Sequence, residues 1–382
     1  MTHGPVRSWA RDQYSTGAYE QARQAALAKG VVHPVALMPD AHVGVGACVG
    51  SVVATEGTIV PSCVGVDLGC GMSAVRLNCT AEDLPDTLGP VLAAFAGAVP
   101  PVAHSRHARR RRAEAELEAL GAAPSGLADM GHAASQLGTL GSGNHFLEAS
   151  LDRSNRVWIV VHSGSRGVGN YLARQHIRTA ARLDTEAPSK DLAAFTADTP
   201  EFAVYVGDML WAQDYAAANR EVMLAAAVVA FEKATGLPIT KCKVVDQVRC
   251  HHNYAERESR SGRELWITRK GAIRARVGDR GIIPGSMGAS TFIVEGLGNP
   301  DSYCSASHGA GRTMSRRKAK EALSIDEMRE QMADRVWLED KAGALIDEAP
   351  DAYKDIHDVM AWQADLCAIE DELTAIVNYK GA

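Results

Sequence analysis

Apolar positions along the chain follow two rhythms. Short β-branched runs at 49–53 and 58–60 predict strands, with Pro61, Gly65, Gly69 and Gly71 marking the turns around them. An unbroken apolar run at 157–161, entered from Arg156, predicts a central strand buried on both faces. Segments 243–245, 264–268 and 291–294 predict further strands. Helical patterning covers 84–98, an acidic and apolar segment stopped by Gly121, and 170–183. It also covers a long stretch at 200–236, with a break expected near Gly207, and the tail at 324–344 and 356–377 reads mostly as helix. Strands and helices interleave without regular βαβ spacing and without an internal repeat. The expected class is α+β, with one compact domain over 1–382.

Composition narrows the class of partner. With 46% hydrophobic and 23% charged residues in 382, the chain can bury an extensive core and is not disordered as its main state. The longest apolar run, 222–231, lies between Glu221 and Glu232 and is far short of the ~20 residues a membrane span needs. No secretory signal opens the sequence. The formal charge of −6 means that any nucleic-acid surface has to be a local patch. Arg106 and the run 109–112, in an Arg-rich stretch at 100–135 read as a surface insertion, are one such patch or else a solvated helix face. Eight scattered cysteines point to a reducing compartment, here the cytoplasm.

Most of the chemistry sits in six segments: MPDAHVGVG (38–46), VGVDLGCGM (64–72), GTLGSGNHF (138–146), HSGSRGVGN (162–170), CHHNY (250–254) and SHGAGR (307–312). All but CHHNY set Gly or Pro turns around Asp, His, Cys, Asn or Ser, as binding loops on a rigid scaffold do. Taken singly, Cys70 reads as a small buried hydrophobe and each His as a satisfied structural residue. Together, Asp67, Cys70, His145, His162 and His252 supply a carboxylate, a thiolate and three imidazoles. Such a set suits Mn, Fe, Co or Zn, and with the thiolate as a bridge it could hold two ions that clamp phosphate oxygens. His308, flanked by small residues, is a candidate nucleophile toward phosphorus. Arg166, Arg269, Lys270, Arg312 and the turn 285–290 are candidate phosphate donors.

With these residues in view, the chain resembles the RtcB family of RNA ligases over nearly its whole length. The motifs GVDLGCGM, GTLGSGNHF, HSGSRG, CHHNY, TRKGA, IPGSMG, SHGAGR and AYKDI occur in the family's order. The resemblance implies joining of an RNA 3′-phosphate or 2′,3′-cyclic phosphate end to a 5′-hydroxyl end, with GTP and two Mn²⁺ ions, through a guanylylated histidine. It implies that His308 is that nucleophile and that Cys70 bridges the ions, one completed by Asp67 and His145 and the other by His162 and His252. It also implies nucleotide contacts from Asn144, Glu148, Ser286, Ser290, Gly311, Tyr353 and Lys380, with Glu148 and Lys380 reading guanine. Archease is a partner the family often uses, and a monomer is expected. Asp40 is conjectured to help transfer a proton or to orient His308.

Two departures stand out. Val45 lies between Gly44 and Gly46, where many relatives carry Lys, and the region 99–135 is short and Arg-rich. The competing reading is a dinuclear metal phosphoesterase acting on RNA or nucleotides, which would have no need of His308. A binding protein with a degenerate metal site is a third class, opposed by the intact ligand set.

Overall fold

The computed structural model describes residues 4–102, 115–125, 127 and 130–381. Arg106 and the run 109–112 therefore lie outside the described residues. The architecture is α+β, as the interleaved pattern predicts.

Two sheets organise the molecule. The smaller has five strands in the order Val6–Ser8, Val31–His42, Val49–Thr55, Arg263–Lys270 and Asn253–Arg260. The larger runs Arg280–Pro284, Thr291–Gly296, Cys367–Lys380, Phe146–Leu151, Arg156–Ser163, Gly71–Thr80 and Val244–His251, with Val336–Trp337 also pairing with Cys367–Lys380. Period-2 alternation explains how the large sheet covers both faces. Val157, Ile159 and Val161 join a cluster with Met223, Leu224 and Phe231 of the helix Pro200–Thr235. Trp158 and Val160 join Met72, Ala74, Ile282 and Ile293.

Two elements differ from the sequence-based expectation. The helix Pro200–Thr235 runs unbroken through Gly207 for 36 residues, capped by the Thr199 hydroxyl and ended by Gly236 at φ +70°. A mid-helix glycine costs only about 1 kcal/mol, which the packing of this helix outweighs. The tail at 356–377 is not mostly helix. A short helix, Ile356–Trp362, is followed by the 14-residue strand Cys367–Lys380. The segment CAIEDELTAIVNYK has helix-forming composition, but pairing on both sides decides its state.

Candidate active site

Strand register collects the metal-type side chains. Phe146 pairs with His162, His162 with Met72, and Met72 with Cys250, across four neighbouring antiparallel strands. His145 precedes the first rung and Cys70 lies two residues before Met72. His252 is the single residue joining Val244–His251 of the large sheet to Asn253–Arg260 of the small one. All of them meet at one end of the large sheet.

The distances are short. The Cys70 Sγ lies 3.5 Å from His145 Nε2 and 3.4 Å from His162 Nε2. His145 Nε2 is 3.0 Å from Asp67 Oδ2, and the Nε2 atoms of His162 and His252 are 2.9 Å apart. Cys70 is thus flanked by an Asp67–His145 pair and a His162–His252 pair. His145 Nδ1–H donates to the Leu140 carbonyl at 3.0 Å and His162 Nδ1–H to the Asn144 carbonyl at 3.1 Å. In these tautomers both Nε2 lone pairs face inward.

The cluster is nearly dry, with Cys70, His145, His162 and His252 all buried. Burial holds the His162 and His252 imidazoles well below their ordinary pKa, and neighbouring histidines push the same way. Burial, reinforced by the Asp67 charge, lifts the Cys70 thiol well above its usual value. Among the described residues the His252 Nδ1 has no hydrogen-bond partner. Neutral lone pairs turned on one another around a buried thiol are costly by themselves and fit a divalent cation, which would also favour the thiolate.

The long helix ties the loops together. Asn219 accepts from Gly138 N at 2.7 Å and donates to the Thr139 and Gly164 carbonyls. The buried Arg220 beside it donates to the Gly69 carbonyl at 2.8 Å and the Ser163 carbonyl at 3.0 Å. Three motif loops therefore hang from two adjacent residues. Gly164 is required by close approach, since a Cβ there would lie 2.2 Å from Asp67 Oδ1.

His308 follows the short strand Ser305–Ser307, and its ring centroid lies 4.8 Å from that of His252. Its Nδ1 is 2.6 Å from Oδ2 of the fully buried Asp40, which also accepts the His308 backbone N–H at 3.1 Å. Asp40 lies within the strand Val31–His42, not in a loop as the reading of MPDAHVGVG as a binding segment suggests. With Nδ1–H donated to Asp40, Nε2 is the free nitrogen.

A cavity of about 600 Å³ is lined by His308 together with Asp67, Cys70, His162 and His252. Of the expected nucleotide contacts, Asn144, Glu148, Ser286, Gly311, Tyr353 and Lys380 line it too. Ser290 is not among the lining residues, and its hydroxyl donates to Glu372 at 2.7 Å. Glu148 is buried and accepts from Asn378, and burial raises its pKa to about 7.

Several candidate phosphate donors are used elsewhere. Lys270 donates to the Val45, Ala47 and Ser62 carbonyls. The fully buried Arg269 is held by Ser305, Glu256 and Glu258. Arg166 donates to Thr139 and packs against His145, outside the cavity lining. Arg312 does line the cavity and donates to Tyr353 Oη at 3.0 Å.

Sequence reasoning missed Glu348, which binds Lys380 Nζ at 2.7 Å, Tyr353 Oη at 2.9 Å and the Arg316 guanidinium. Its only signal was an acid five residues before Tyr353. It also missed His42, a cavity residue whose pKa burial lowers to about 4, and Asn378. Period-2 spacing from Asp40 and from Lys380 pointed to these two.

A family model described as tRNA-splicing ligase RtcB matches residues 21–381. An RNA-splicing ligase RtcB of Escherichia coli K12 is 41% identical, over 99% of this chain and 98% of that protein. A protein of the same description from Mycobacterium tuberculosis is 29% identical over 89% of this chain and 94% of its own length. A tRNA-splicing ligase RtcB from Pyrobaculum aerophilum is 29% identical over 89% and 86%. With matching motifs, a matching family model and full-length similarity in agreement, the chain belongs to the RtcB family of tRNA-splicing ligases.

Proposed function

We propose that this chain is a GTP- and Mn²⁺-dependent RNA ligase that joins a 3′-phosphate or 2′,3′-cyclic phosphate end to a 5′-hydroxyl end. The observation that carries the reading is His308. Its Nδ1–H is held by Asp40, and its ring adjoins the His252 end of the Cys70 cluster. A phosphoesterase would need the cluster but no oriented imidazole beside it.

His308 Nε2 forms a bond to the α-phosphorus of GTP as the bond to pyrophosphate breaks. Nδ1–H stays donated to Asp40 and stabilises the charge that develops on the ring. The guanylyl group then passes to the RNA 3′-phosphate and frees the imidazole. Attack by the 5′-hydroxyl on that activated phosphate forms the phosphodiester and expels GMP. A cyclic phosphate is opened beforehand by water, which bonds to phosphorus as the bond to the 2′-oxygen breaks, leaving a 2′-hydroxyl and the 3′-phosphate. Asp67, Cys70 and His145 would hold one Mn²⁺, and Cys70, His162 and His252 the other. The ions would stabilise phosphate charge and lower the pKa of the attacking hydroxyl. Asn144, Ser286, Gly311 and Tyr353 line the path to the nucleotide, and Glu148 with Lys380 reads guanine. The proposal extends to a single domain over 1–382 acting in the cytoplasm.

Incubation with radiolabelled GTP and Mn²⁺ tests this directly. The expected result is a covalent guanylate that survives denaturation and is absent from His308→Ala. GTP or RNA hydrolysis with no adduct in the wild-type chain would favour the esterase instead.

A further inference from the structure

We propose that the helix Arg166–Leu183 guides single-stranded RNA to the catalytic cavity along an arginine face. The inference rests on the ligase reading and concerns how its polyanionic substrate is held. Arg174, Arg178 and Arg182 recur every fourth residue on this helix. Each step advances about 6 Å along the axis, of the same order as the separation of successive phosphates in a single strand. All three are exposed, on the side away from the buried Val168, Leu172, Ala173, His176 and Ala180. Tyr171 shares their face at 47% exposure.

These arginines are not spent on carboxylates. Arg174 Nε donates to Asn170 Oδ1 at 2.8 Å and Arg182 Nη2 to Thr179 Oγ1 at 3.1 Å. Among the described residues none of the three forms an ion pair. Elsewhere Arg263, Arg274 and Arg280 each meet an acid within 2.6–2.9 Å. The groove beside Arg178 and Arg182 also holds Glu201 and Asp208, and Asp208 is occupied by His176 and the Ser125 N–H.

The helix is also continuous with the active site. It begins at Arg166, packed on His145, and lines the catalytic cavity through Ile177. A chain of net charge −6 needs a local cationic surface to hold RNA, and the helix that carries this one starts beside His145 of the Cys70 cluster. Arginines would track the phosphates while Tyr171 stacks on a base.

The test is RNA binding without catalysis. A short fluorescent single-stranded RNA ending in a 3′-phosphate is titrated into the full chain in chelator, without GTP, at several salt concentrations. The combined variant R174Q/R178Q/R182Q should bind roughly tenfold more weakly or worse, and its log–log salt slope should be shallower by about 2 for three lost phosphate contacts. Replacing the same arginines by Lys should restore most of the slope. Tyr171→Ala should weaken binding and leave the slope unchanged. Thermal midpoints verify that each variant is folded. Affinity and salt slope equal to wild type in the folded Gln variant would overturn the proposal. Guanylylation of the wild-type chain is scored separately, so its absence would count against the ligase reading alone.

Discussion

Asp40 gives one carboxylate oxygen to two donors of the same residue, the backbone N–H and Nδ1–H of His308. That arrangement sets both the tautomer and the tilt of the ring. An amide cannot replace it, because it brings no charge to offset a developing imidazolium. Asp40→Asn should slow single-turnover guanylylation by on the order of a hundredfold or more while leaving KM for GTP nearly unchanged. Glu148 carries a pH signature of its own. Burial raises its pKa from 4.5 to about 7 in the folded chain, so the fold keeps a proton that the unfolded chain releases. Stability from this group is complete below pH 4.5 and is lost as pH rises toward 7, a change of about 3 kcal/mol. Urea titrations of wild type and Glu148→Gln should show the variant gaining by about that amount between pH 4 and pH 8. Guanine N–H donors would favour the ionised carboxylate. GTP affinity should therefore fall as pH drops below about 7, and Glu148→Gln should narrow the preference for GTP over ATP.

At the scale of elements, the site depends on how closely backbones approach. Gly311 has φ +76°, and a Cβ there would lie 2.0 Å from the Asp40 carbonyl. Only glycine lets the SHGAGR loop seat against the Val31–His42 strand. Gly311→Ala should cost about 1–3 kcal/mol from backbone strain before any clash is counted. Guanylylation should fail while circular dichroism still shows a folded chain. The long helix acts on the candidate metal ligands through Arg220. Arg220→Met would strip the Gly69 and Ser163 carbonyls of a donor. Mn²⁺ affinity measured by calorimetry should then fall about 10- to 100-fold, as when groups that orient ligands are removed. Motif strands such as Arg156–Ser163 were legible because their apolar runs are local and β-rich. Cys367–Lys380 was not, since its Ala, Glu and Leu content favours helix until Thr291–Gly296 and Phe146–Leu151 pair with it.

At the scale of the molecule, the last strand links distant parts of the large sheet and delivers Lys380 to Glu348. Lys380→Ala should leave a folded chain defective in GTP binding. Deletion from Leu373 onward should instead give an insoluble product, because it removes the centre of the sheet. Solubility and size-exclusion profiles separate these outcomes. The candidate ligands Asp67, Cys70, His145, His162 and His252 could be chosen from residue type and glycine-rich setting, because coordination chemistry is a property of side chains. Their grouping into pairs around one sulfur follows from antiparallel register, which no local pattern encodes. Likewise, Asp40 and His308 are 268 positions apart, and Glu348 shows nothing special until Arg316, Tyr353 and Lys380 converge on it. The amino-acid order alone determined the chemical inventory, the family and most secondary structure. Tertiary packing decided which cations stay free for an anion and which are consumed as clamps, as Lys270 is, because that depends on which buried carbonyls and carboxylates the fold brings within reach.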